Sequence, residues 1–240
     1  MTNIVIGLGG SGKRFLEAGY RIPKYLIAYE GAPMIYHSLV SLKIPGEVYF
    51  VVRQDHLDSY SFLRKMLERM GNVIVINGKT DGAAQTLLFA KNYIHDVSKP
   101  LISLNCDQIL RWNSSMFTET LDRNPDTSYI LTFDDNSEKC SYVRENHDGY
   151  VTEVREKKVI SNKATVGVYH WARALDYFTD AEMMIAENAR ENNEFYVAPV
   201  YNYSIKRGLK VKTFHLSKTE FHPVGTPFDL NNYILRYGDL

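Results

Sequence analysis

Five short, continuous apolar runs in the first half of the chain constrain its fold most strongly. They occupy residues 4–6, 48–52, 73–76, 101–104 and 129–133. Because their hydrophobicity is continuous rather than alternating, they predict strands that are covered on both faces. Two segments between them have helical spacing, with apolar positions at Leu57, Tyr60, Leu63 and Leu67 and at Ala83, Leu87, Ala90 and Ile94. Alternating strands and helices predict an α/β fold with a mostly parallel central sheet.

The pattern changes after residue 134. Residues 141–145 and 150–156 predict two strands, and turn-forming residues lie between them. We therefore expect an antiparallel insertion there. The rest of the chain predicts a strand over 164–171, a helix over 174–189, a strand over 210–216 and a closing helix over 228–236. No internal repeat or long linker divides the sequence, so we expect a single domain over residues 1–240.

Charge and composition exclude several classes of function. Lys plus Arg and Asp plus Glu both number 28, so no global field attracts nucleic acid or an anionic membrane. No apolar run approaches the ~18 residues that span a bilayer, and the chain begins without a basic leader, so we expect a cytoplasmic protein without a membrane or nucleic-acid partner. The two cysteines, Cys106 and Cys140, form no metal-binding motif and are expected to be reduced. The sequence predicts no particular oligomeric state.

A glycine-rich run, IVIGLGGSGKRF over residues 4–15, follows the first predicted strand. It fits the dinucleotide fingerprint G-x-G-x-x-G and comes within one residue of the phosphate loop G-x-x-x-x-G-K-[ST]. Both motifs require a long helix after the last glycine, but Gly19 and Pro23 leave room for barely two helical turns. Arg14 also occupies the position where the phosphate loop needs a hydroxyl for magnesium. Both interpretations are therefore disfavoured.

The remaining interpretation is a turn that binds a triphosphate. Glycine backbone can approach phosphate oxygens closely, and an arginine can bind them through two N–H groups. Lys13 and Arg14 follow the turn directly, and Lys24 lies close enough in sequence to return to the same phosphates. Alternatively, all three are ordinary solvated charges.

Several ordered motifs resemble the sugar-phosphate nucleotidyltransferases, also called nucleoside-diphosphate-sugar pyrophosphorylases. That family opens roughly with L-x-G-G-x-G-x-R, P-K-x-L and G-x-P-M-I, which residues 8–14, 23–26 and 31–35 resemble. Further matches are the base-binding loop at 81–86, the metal-binding strand end at 105–107, the sugar-phosphate pocket at 156–157 and 165–169, and the G-T-P motif at 225–227. The resemblance implies a three-layer Rossmann-like fold with a smaller antiparallel acceptor-binding insertion. It implies that the half of the chain over about 1–135 binds the nucleotide and that the half over about 136–240 binds the acceptor.

The resemblance also implies an activity. In this family a phosphate oxygen of the acceptor, usually a sugar 1-phosphate, attacks the α-phosphorus of a nucleoside triphosphate, and pyrophosphate leaves. The product is an activated nucleotide sugar, here expected to serve surface polysaccharide. The implied catalytic residues are Arg14 on the β and γ phosphates, Lys24 near the α-phosphate, and Asp107. The implied nucleotide-binding residues are Leu8, Gly9, Gly10, Ser11, Gly12, Lys13, Gly82 and Gln85, and the implied acceptor-binding residues are Glu156, Lys157, Gly167 and Glu194.

A magnesium ion is the implied cofactor. Asp107 follows an apolar strand, which places it at the carboxyl edge of the sheet, and a hard carboxylate suits Mg²⁺. Family members often carry a second aspartate two residues before the glycine of the G-T motif, where this chain has Pro223. Asp229 is either a relocated metal ligand or a first-turn residue that the helix dipole favours.

Two other functions and the choice of base remain open. A glycosyltransferase of similar fold usually holds its metal through Asp-x-Asp, whereas Asn105-Cys106-Asp107 contains one carboxylate. A non-catalytic nucleotide-binding protein is consistent with the proline at position 223. The expected substrates are UTP, dTTP or CTP together with a sugar phosphate or related phosphate ester. Release of pyrophosphate separates the three functions.

Overall fold

Strands and helices alternate along the first half of the chain, as the apolar runs predicted. The computed structural model describes residues 1–238. Its strands are β1 (Thr2–Gly7), β2 (Ala28–Tyr29), β3 (Ala32–Pro33), β4 (Gly46–Arg53), β5 (Asn72–Ile76), β6 (Leu101–Leu104), β7 (Gln108–Leu110), β8 (Thr127–Asp134), β9 (Ser141–Glu145), β10 (Val151–Glu156), β11 (Lys163–Trp171), β12 (Lys210–His215) and β13 (Phe221–Pro223). Its α-helices are α1 (Lys13–Glu17), α2 (Met34–Leu42), α3 (Gln54–Ser59), α4 (Leu63–Glu68), α5 (Ala83–Leu88), α6 (Ser114–Arg123), α7 (Ala174–Ala186), α8 (Tyr201–Lys206) and α9 (Pro227–Tyr237).

Within residues 1–238, nine strands form one central sheet. Its order is β10-β9-β11-β6-β1-β4-β5, and β8 joins β11 to β12 beside this path. Strand β1 pairs in parallel with β4 and β6, whereas β11 pairs antiparallel with β6, β8 and β9. The strands of this sheet all run in one direction except β10 and β11. The predicted α/β class with a mostly parallel sheet is therefore confirmed.

Apolar side chains cover both faces of the sheet. In β1, Val5 belongs to one buried cluster and its neighbours Ile4 and Ile6 to another, because successive side chains of a strand point to opposite faces. Helices α5, α7 and α8 contribute to the first cluster, and helices α2, α3, α4 and α6 contribute to the second. The sheet thus lies between two helical layers, as expected for a three-layer Rossmann-like fold.

Three segments that were each predicted as one helix are interrupted or end earlier in the structure. The segment from 57 to 67 is broken between α3 and α4, where Tyr60 leaves the helical conformation with φ −130°. The segment that begins at Ala83 becomes a 3₁₀ helix at Phe89–Asn92. Helix α7 ends at Ala186 rather than 189, because Asn188 adopts a left-handed conformation with φ +50°. Most of the same apolar positions are nevertheless buried across these breaks, although Ala83 is exposed and Tyr60 is half-buried.

The predicted antiparallel insertion is the hairpin of β9 and β10. It does not stand apart from the sheet, since Tyr142 in β9 pairs with Ala164 in β11 and the hairpin extends the sheet edge. The side chain of Asn202 in α8 bonds both the amide and the carbonyl of Val154 in β10, at 2.9 Å each. Both halves of the chain therefore share one sheet. The proposed boundary near residue 135 stays a prediction, and the domain prediction extends two residues beyond the described range.

None of the helices in residues 1–238 has the length and apolar character required to cross a bilayer.

Candidate active site

The glycine-rich loop over residues 8–12 leaves β1 at the carboxyl edge of the sheet. The amide of Leu8 donates to the carbonyl of Val51 (2.8 Å), and the Leu8 side chain is buried. A side chain on Gly9 would place its Cβ 3.4 Å from the hydroxyl of Thr86 in α5. The two following residues, Gly10 and Ser11, are exposed. The loop is thus fixed at its base and lacks bulky side chains at its tip, where phosphate oxygens can approach its N–H groups.

Gly12 brings the end of this loop next to Lys24. Its backbone is left-handed (φ +63°), and a Cβ at this position would lie 3.3 Å from Cβ of Lys24. Lys13 and Arg14 begin α1 and are exposed. Nζ of Lys13 lies 3.8 Å from Oε1 of Glu17, which is also exposed. Arg14 forms no hydrogen bond or ion pair with another part of the described chain. Its guanidinium is therefore available to an anion.

Lys24 and Asp107 form an ion pair at the centre of the site. Lys24 begins a 3₁₀ helix, Lys24–Leu26, whose other two residues are buried and so fix its main chain. Its Nζ donates to Oδ2 of Asp107 at 2.7 Å, and the two side chains are only 25% and 21% exposed. Burial has the largest single effect and lowers the pKa of Lys24. The charge of Asp107, its hydrogen bond and Cys106 together outweigh burial and the nearby charge of Arg14, so the pKa is raised above its usual value. Lys24 is therefore positively charged at every physiological pH.

The G-T-P loop closes over Asp107 from the far end of the chain. The amide of Val224 donates to the carbonyl of Asp107 (2.9 Å). At Gly225 a Cβ would lie 2.7 Å from Asp107 Oδ2, so only glycine leaves room for this carboxylate. Pro223 pairs with Gln108 in the small sheet of β13 and β7. The position of the usual second aspartate is thus next to Asp107 but carries no side-chain ligand.

Asp229 participates in the N-terminal cap of α9. Its backbone N–H donates to Oγ1 of Thr226 (3.1 Å), and its carboxylate accepts a hydrogen bond from the same hydroxyl (2.6 Å). Such reciprocal bonding satisfies a free donor at the start of a helix. This geometry supports the interpretation of Asp229 as a helix-start residue, and its role as a metal ligand stays a prediction.

The residues around Asp107 fit a magnesium ion held by a single protein carboxylate. Residues 1–238 contain no cluster of three or more His, Cys, Asp or Glu that could hold a metal. Mg²⁺ is, however, commonly bound by one or two carboxylates, with water and substrate phosphates completing its coordination. Oδ2 of Asp107 is engaged by Lys24, whereas Oδ1 accepts no hydrogen bond from the described residues and can bind the ion.

The predicted base-binding loop is clamped against a distant segment of the chain. Gly82 has φ +142°, and a Cβ there would lie 2.4 Å from the carbonyl oxygen of Phe195. The amide of Phe195 donates to the carbonyl of Asp81 (2.8 Å), and the amide of Ala84 donates to the carbonyl of Phe195 (2.9 Å). Glycine is therefore required at position 82 by close approach of backbone.

Side chains tighten this clamp. Arg190 lies 2.8 Å from the carboxylate of Asp81 and places its guanidinium 4.2 Å from the centre of the Phe195 ring. Gln85 accepts a hydrogen bond from the amide of Asp81 (2.6 Å) through Oε1. The Gln85 amide nitrogen has no partner within the described residues and can donate to a base.

Glu156 lies at the end of β10 in a polar pocket. Its carboxylate accepts a hydrogen bond from Ser141, and its backbone amide donates to Oε2 of Glu191 (2.6 Å). Burial raises the pKa of Glu156, while the hydrogen bond from Ser141 and the charge of Lys157 oppose that rise. A carboxylate in this setting can accept hydrogen bonds from sugar hydroxyls.

Lys157 follows Glu156 and lines the same cavity. The cavity has a volume of about 600 Å³ and is lined by Glu138, Arg155, Glu156, Lys157, Lys158, Glu191 and Asn192. The ammonium of Lys157 donates to the hydroxyl of Tyr196 (2.8 Å). The structure therefore brings two of the four predicted acceptor residues together at a cavity large enough for a sugar phosphate.

Gly167 lies at the junction between the acceptor side and the strand end that carries Asp107. Its backbone has φ +84° within an irregularity of β11, and a Cβ would lie 2.4 Å from the side-chain amides of both Asn105 and Gln108. Its carbonyl accepts from the amide of Asn105 (3.0 Å). Gly167 thus permits β11 to approach the residues that flank Asp107.

Glu194 is exposed in a turn, and the sequence did not identify two neighbours that contact the acceptor side. Glu191 bonds the amide of Glu156, and Tyr196 bonds Lys157. Left-handed backbone at Asn192 and Asn193 shapes this turn. The Asn-Asn pair is a recognisable turn signal, but the partners of its flanking side chains follow only from the folded chain.

A second cleft lies apart from these residues. It has a volume of about 520 Å³ between α2, β7 and α9, and its lining includes Tyr36, Arg111 and Tyr233. None of the predicted site residues lines it.

Comparison with known proteins identifies similar sequences and folds. A family model described as "Nucleotidyl transferase" matches residues 3–231. A probable mannose-1-phosphate guanylyltransferase 3 of Oryza sativa subsp. japonica is 28% identical over 177 residues, which cover 69% of this chain and 48% of that protein. The chain thus spans about half the length of this curated relative.

Solved structures share the fold over almost the entire chain. A nucleoside-diphosphate-sugar pyrophosphorylase from Vibrio cholerae RC9 has a TM-score of 0.80 at 24% identity and covers 98% of this chain and 100% of its own. A putative glucose-1-phosphate thymidylyltransferase from Bacillus anthracis, in complex with sucrose, has a TM-score of 0.78 at 19% identity and covers 100% of this chain and 96% of its own.

Proposed function

Since this chain belongs to the nucleotidyl transferase family, we propose that it transfers a nucleoside monophosphate from a nucleoside triphosphate to a sugar 1-phosphate or related phosphate ester. The observation that carries this proposal is the ion pair of Lys24 and Asp107, which Gly12 and Gly225 contact from two sides. Four motifs separated in sequence therefore meet around one cation and one carboxylate. Two anionic substrates can react only where such charges bring them together.

The nucleotide is proposed to bind along the carboxyl edge of the sheet. The N–H groups of residues 9–12 bind the phosphates, while the Leu8 amide, which donates to Val51, holds the loop in place. The exposed Lys13 and Arg14 neutralise the β and γ phosphates that leave. The base loop containing Gly82 leads into α5, whose Thr86 lies next to Gly9 of the glycine loop. The free amide nitrogen of Gln85 then contacts the base.

Lys24 is proposed to act on the α-phosphate. A phosphate oxygen of the acceptor forms a bond to the α-phosphorus while the bond to the β-phosphate oxygen breaks, and pyrophosphate leaves with that electron pair. Negative charge on the α-phosphate oxygens is stabilised by the ammonium of Lys24, whose direction is fixed by Asp107. Asp107 is also the residue that would hold Mg²⁺. When bound, that ion neutralises phosphate oxygens and aligns them.

The acceptor is proposed to enter from the side of β10. Lys157 binds its phosphate, and the carboxylate of Glu156 accepts hydrogen bonds from its hydroxyls. Gly167 allows β11 to bring this side close to Asp107, and the exposed Glu194 belongs to the same turn as Glu191, which lines the cavity. Support comes from the cavity of about 600 Å³ beside Glu156 and Lys157.

The identities of the base, the acceptor and the pathway are also proposed. The sequence favours UTP, dTTP or CTP, whereas the curated relative is named for guanylyl transfer. GTP therefore belongs among the candidates. We propose that the product is a nucleotide sugar made in the cytoplasm, where triphosphates are available, and that it serves surface polysaccharide.

A substrate panel tests the reaction. ATP, GTP, CTP, UTP and dTTP are each mixed with Mg²⁺ and with glucose 1-phosphate, mannose 1-phosphate, an amino-sugar 1-phosphate or inositol 1-phosphate, and pyrophosphate is measured. The proposed transferase releases pyrophosphate with at least one pair. A glycosyltransferase instead consumes a nucleotide sugar and releases a nucleoside diphosphate, and a non-catalytic protein binds a triphosphate without turnover. Absence of pyrophosphate from every pair would falsify the proposal.

A further inference from the structure

Lys157, which lines the cavity of about 600 Å³ beside Glu156, contacts Tyr196. The ammonium nitrogen of Lys157 lies 2.8 Å from the Tyr196 hydroxyl oxygen and 4.8 Å from the centre of the Tyr196 ring. A lysine side chain has four flexible bonds and loses much conformational freedom when its end is held in place. A single hydrogen-bond partner therefore determines the position of this ammonium group.

The main chain of Lys157 is already fixed. Its backbone is left-handed (φ +52°), and its amide donates to the carbonyl of Cys140 (3.0 Å), which extends the hairpin pairing by one bond. Left-handed backbone is uncommon for a residue with a side chain and persists only where the surroundings determine it. This conformation sets the direction of the Cα–Cβ bond, but the position of the ammonium group depends on Tyr196.

Tyr196 provides a rigid anchor. The residue before it, Phe195, is buried and is bonded through both its amide and its carbonyl to the base loop. Shortly after it comes a buried 3₁₀ helix, Ala198–Val200. A tyrosine side chain has only two torsions, so a fixed main chain leaves its hydroxyl little freedom.

We propose that Tyr196 is a positioning residue for the acceptor phosphate, because its hydroxyl holds the ammonium of Lys157, which lines the cavity. This inference rests on the proposed function, in which Lys157 binds that phosphate. One of the three ammonium hydrogens is directed to Tyr196, which leaves two to bind phosphate oxygens. Tyr196 acts through Lys157 and has no part in the chemical step.

Tyr196→Phe tests the proposal in steady-state kinetics of the full chain. The change keeps the ring and removes the hydroxyl. We expect KM for the sugar 1-phosphate to rise about tenfold, as for the loss of one hydrogen bond to a charged group, while kcat and KM for the triphosphate change less than about twofold. In a Lys157→Met background, Tyr196→Phe is expected to have no further effect.

Tyr203→Phe is the matched control. The hydroxyl of Tyr203 donates to Glu187 (2.6 Å), and its ring also lies beneath a lysine ammonium, at 4.5 Å from Lys206, but this pair is on α8 away from the cavity. The control is expected to retain the wild-type KM for both substrates. Equal KM values for acceptor in Tyr196→Phe and the wild type, or an equal rise in KM for both substrates, overturns the proposal.

Heteronuclear NMR of the lysine ammonium groups tests the same contact without turnover. The signal of Lys157, assigned through Lys157→Arg, is expected to be protected from exchange with water in the wild type and to lose that protection in Tyr196→Phe. Titration with inorganic phosphate is expected to shift it at lower concentration in the wild type. An unprotected signal in the wild type overturns the anchor even if the enzyme is active. A protected signal in a chain that releases no pyrophosphate overturns the proposed function and leaves the anchor standing.

Discussion

Lys24 owes its position to residues far from it in sequence. Gly12 permits the close approach of the glycine loop, and Asp107 supplies the opposite charge at 2.7 Å. The pair is mostly shielded from water, and within residues 1–238 the ammonium forms no other hydrogen bond, so its direction is set before substrate binds. A cation in that state can stabilise developing charge without first reorganising solvent.

Removal of either cation should therefore reduce turnover. Lys24→Met keeps the length of the side chain without its charge, and Arg14→Ala removes the exposed guanidinium. We expect each variant to remain folded and to lose about 10²–10³ in kcat, the usual cost of one donor to developing charge. Circular dichroism establishes folding and pyrophosphate release measures the rate. Lys65→Met, an exposed lysine on α4, should match the wild type. Near-normal kcat in both variants would mean that neither cation acts on the phosphates.

Glu156 should give acceptor binding a pH dependence. Burial raises the pKa of its carboxyl, so Glu156 becomes protonated at a higher pH than an ordinary glutamate. A protonated Glu156 accepts hydroxyl hydrogen bonds less well, and KM for the acceptor should rise as pH falls through the mildly acidic range. Glu156→Gln should bind more weakly at neutral pH but without this step, which KM measured at a series of pH values will detect. The same pH profile in both proteins would exclude Glu156 as its origin.

The raised pKa of Glu156 also affects folding. The folded chain holds this proton more tightly than the unfolded chain, so the contribution of Glu156 to stability is largest in acid and decreases as pH rises from about 4.5 through the folded-state pKa.

At the scale of secondary-structure elements, the site depends on how β13 and α9 meet. Strand β13 carries Pro223 beside Gln108, and the turn that follows places Gly225 against Asp107 before Thr226 caps α9. The capping bonds of Asp229 define where the helix starts. They also engage its carboxylate, so a metal could bind this carboxylate only by displacing the hydroxyl of Thr226.

Two aspartate variants separate metal binding from capping. Asp107→Asn removes the anionic ligand, so activity should collapse even at high Mg²⁺. Asp229→Asn should instead cost ~0.3–1 kcal/mol of stability, the usual value of a charge at a helix start, with an unchanged Mg²⁺ concentration for half-maximal rate. Thermal unfolding and rates over a series of Mg²⁺ concentrations measure both. A markedly weakened Mg²⁺ response in Asp229→Asn would identify it as a ligand.

At the scale of the whole molecule, the sequence predicted the sheet but not the contacts across the cleft. Continuous apolar runs identified the buried strands because a covered strand requires apolar side chains on both faces. The break at Tyr60 was missed because the apolar period continues through it. Glu191 and Tyr196 were missed because their partners lie more than thirty positions earlier in the chain. Only the left-handed turns at Asn192 and Asn193 bring them there.

These missed contacts join the two substrate sides. Phe195 is bonded to the base loop at Asp81 and Ala84, and the flanking Glu191 and Tyr196 are bonded to the acceptor side. Residues 188–196 therefore form one continuous connection between the proposed base and the proposed acceptor. A shift that one substrate imposes on this segment therefore also moves the side chains that face the other substrate.

Nucleotide and acceptor should consequently bind cooperatively. We expect an α,β-methylene triphosphate, which cannot transfer its nucleotidyl group, to increase affinity for the sugar 1-phosphate by a factor within about 5–150, and the sugar phosphate to increase affinity for the analogue by the same factor. Calorimetric titration of each ligand with and without the other measures both. Arg190→Met removes the 2.8 Å ion pair with Asp81 and should reduce the coupling, whereas Arg64→Met breaks an exposed pair with Glu68 on α4 and should leave it unchanged. Identical affinities with and without the second ligand would mean that residues 188–196 connect the two sides structurally but transmit no binding energy between them.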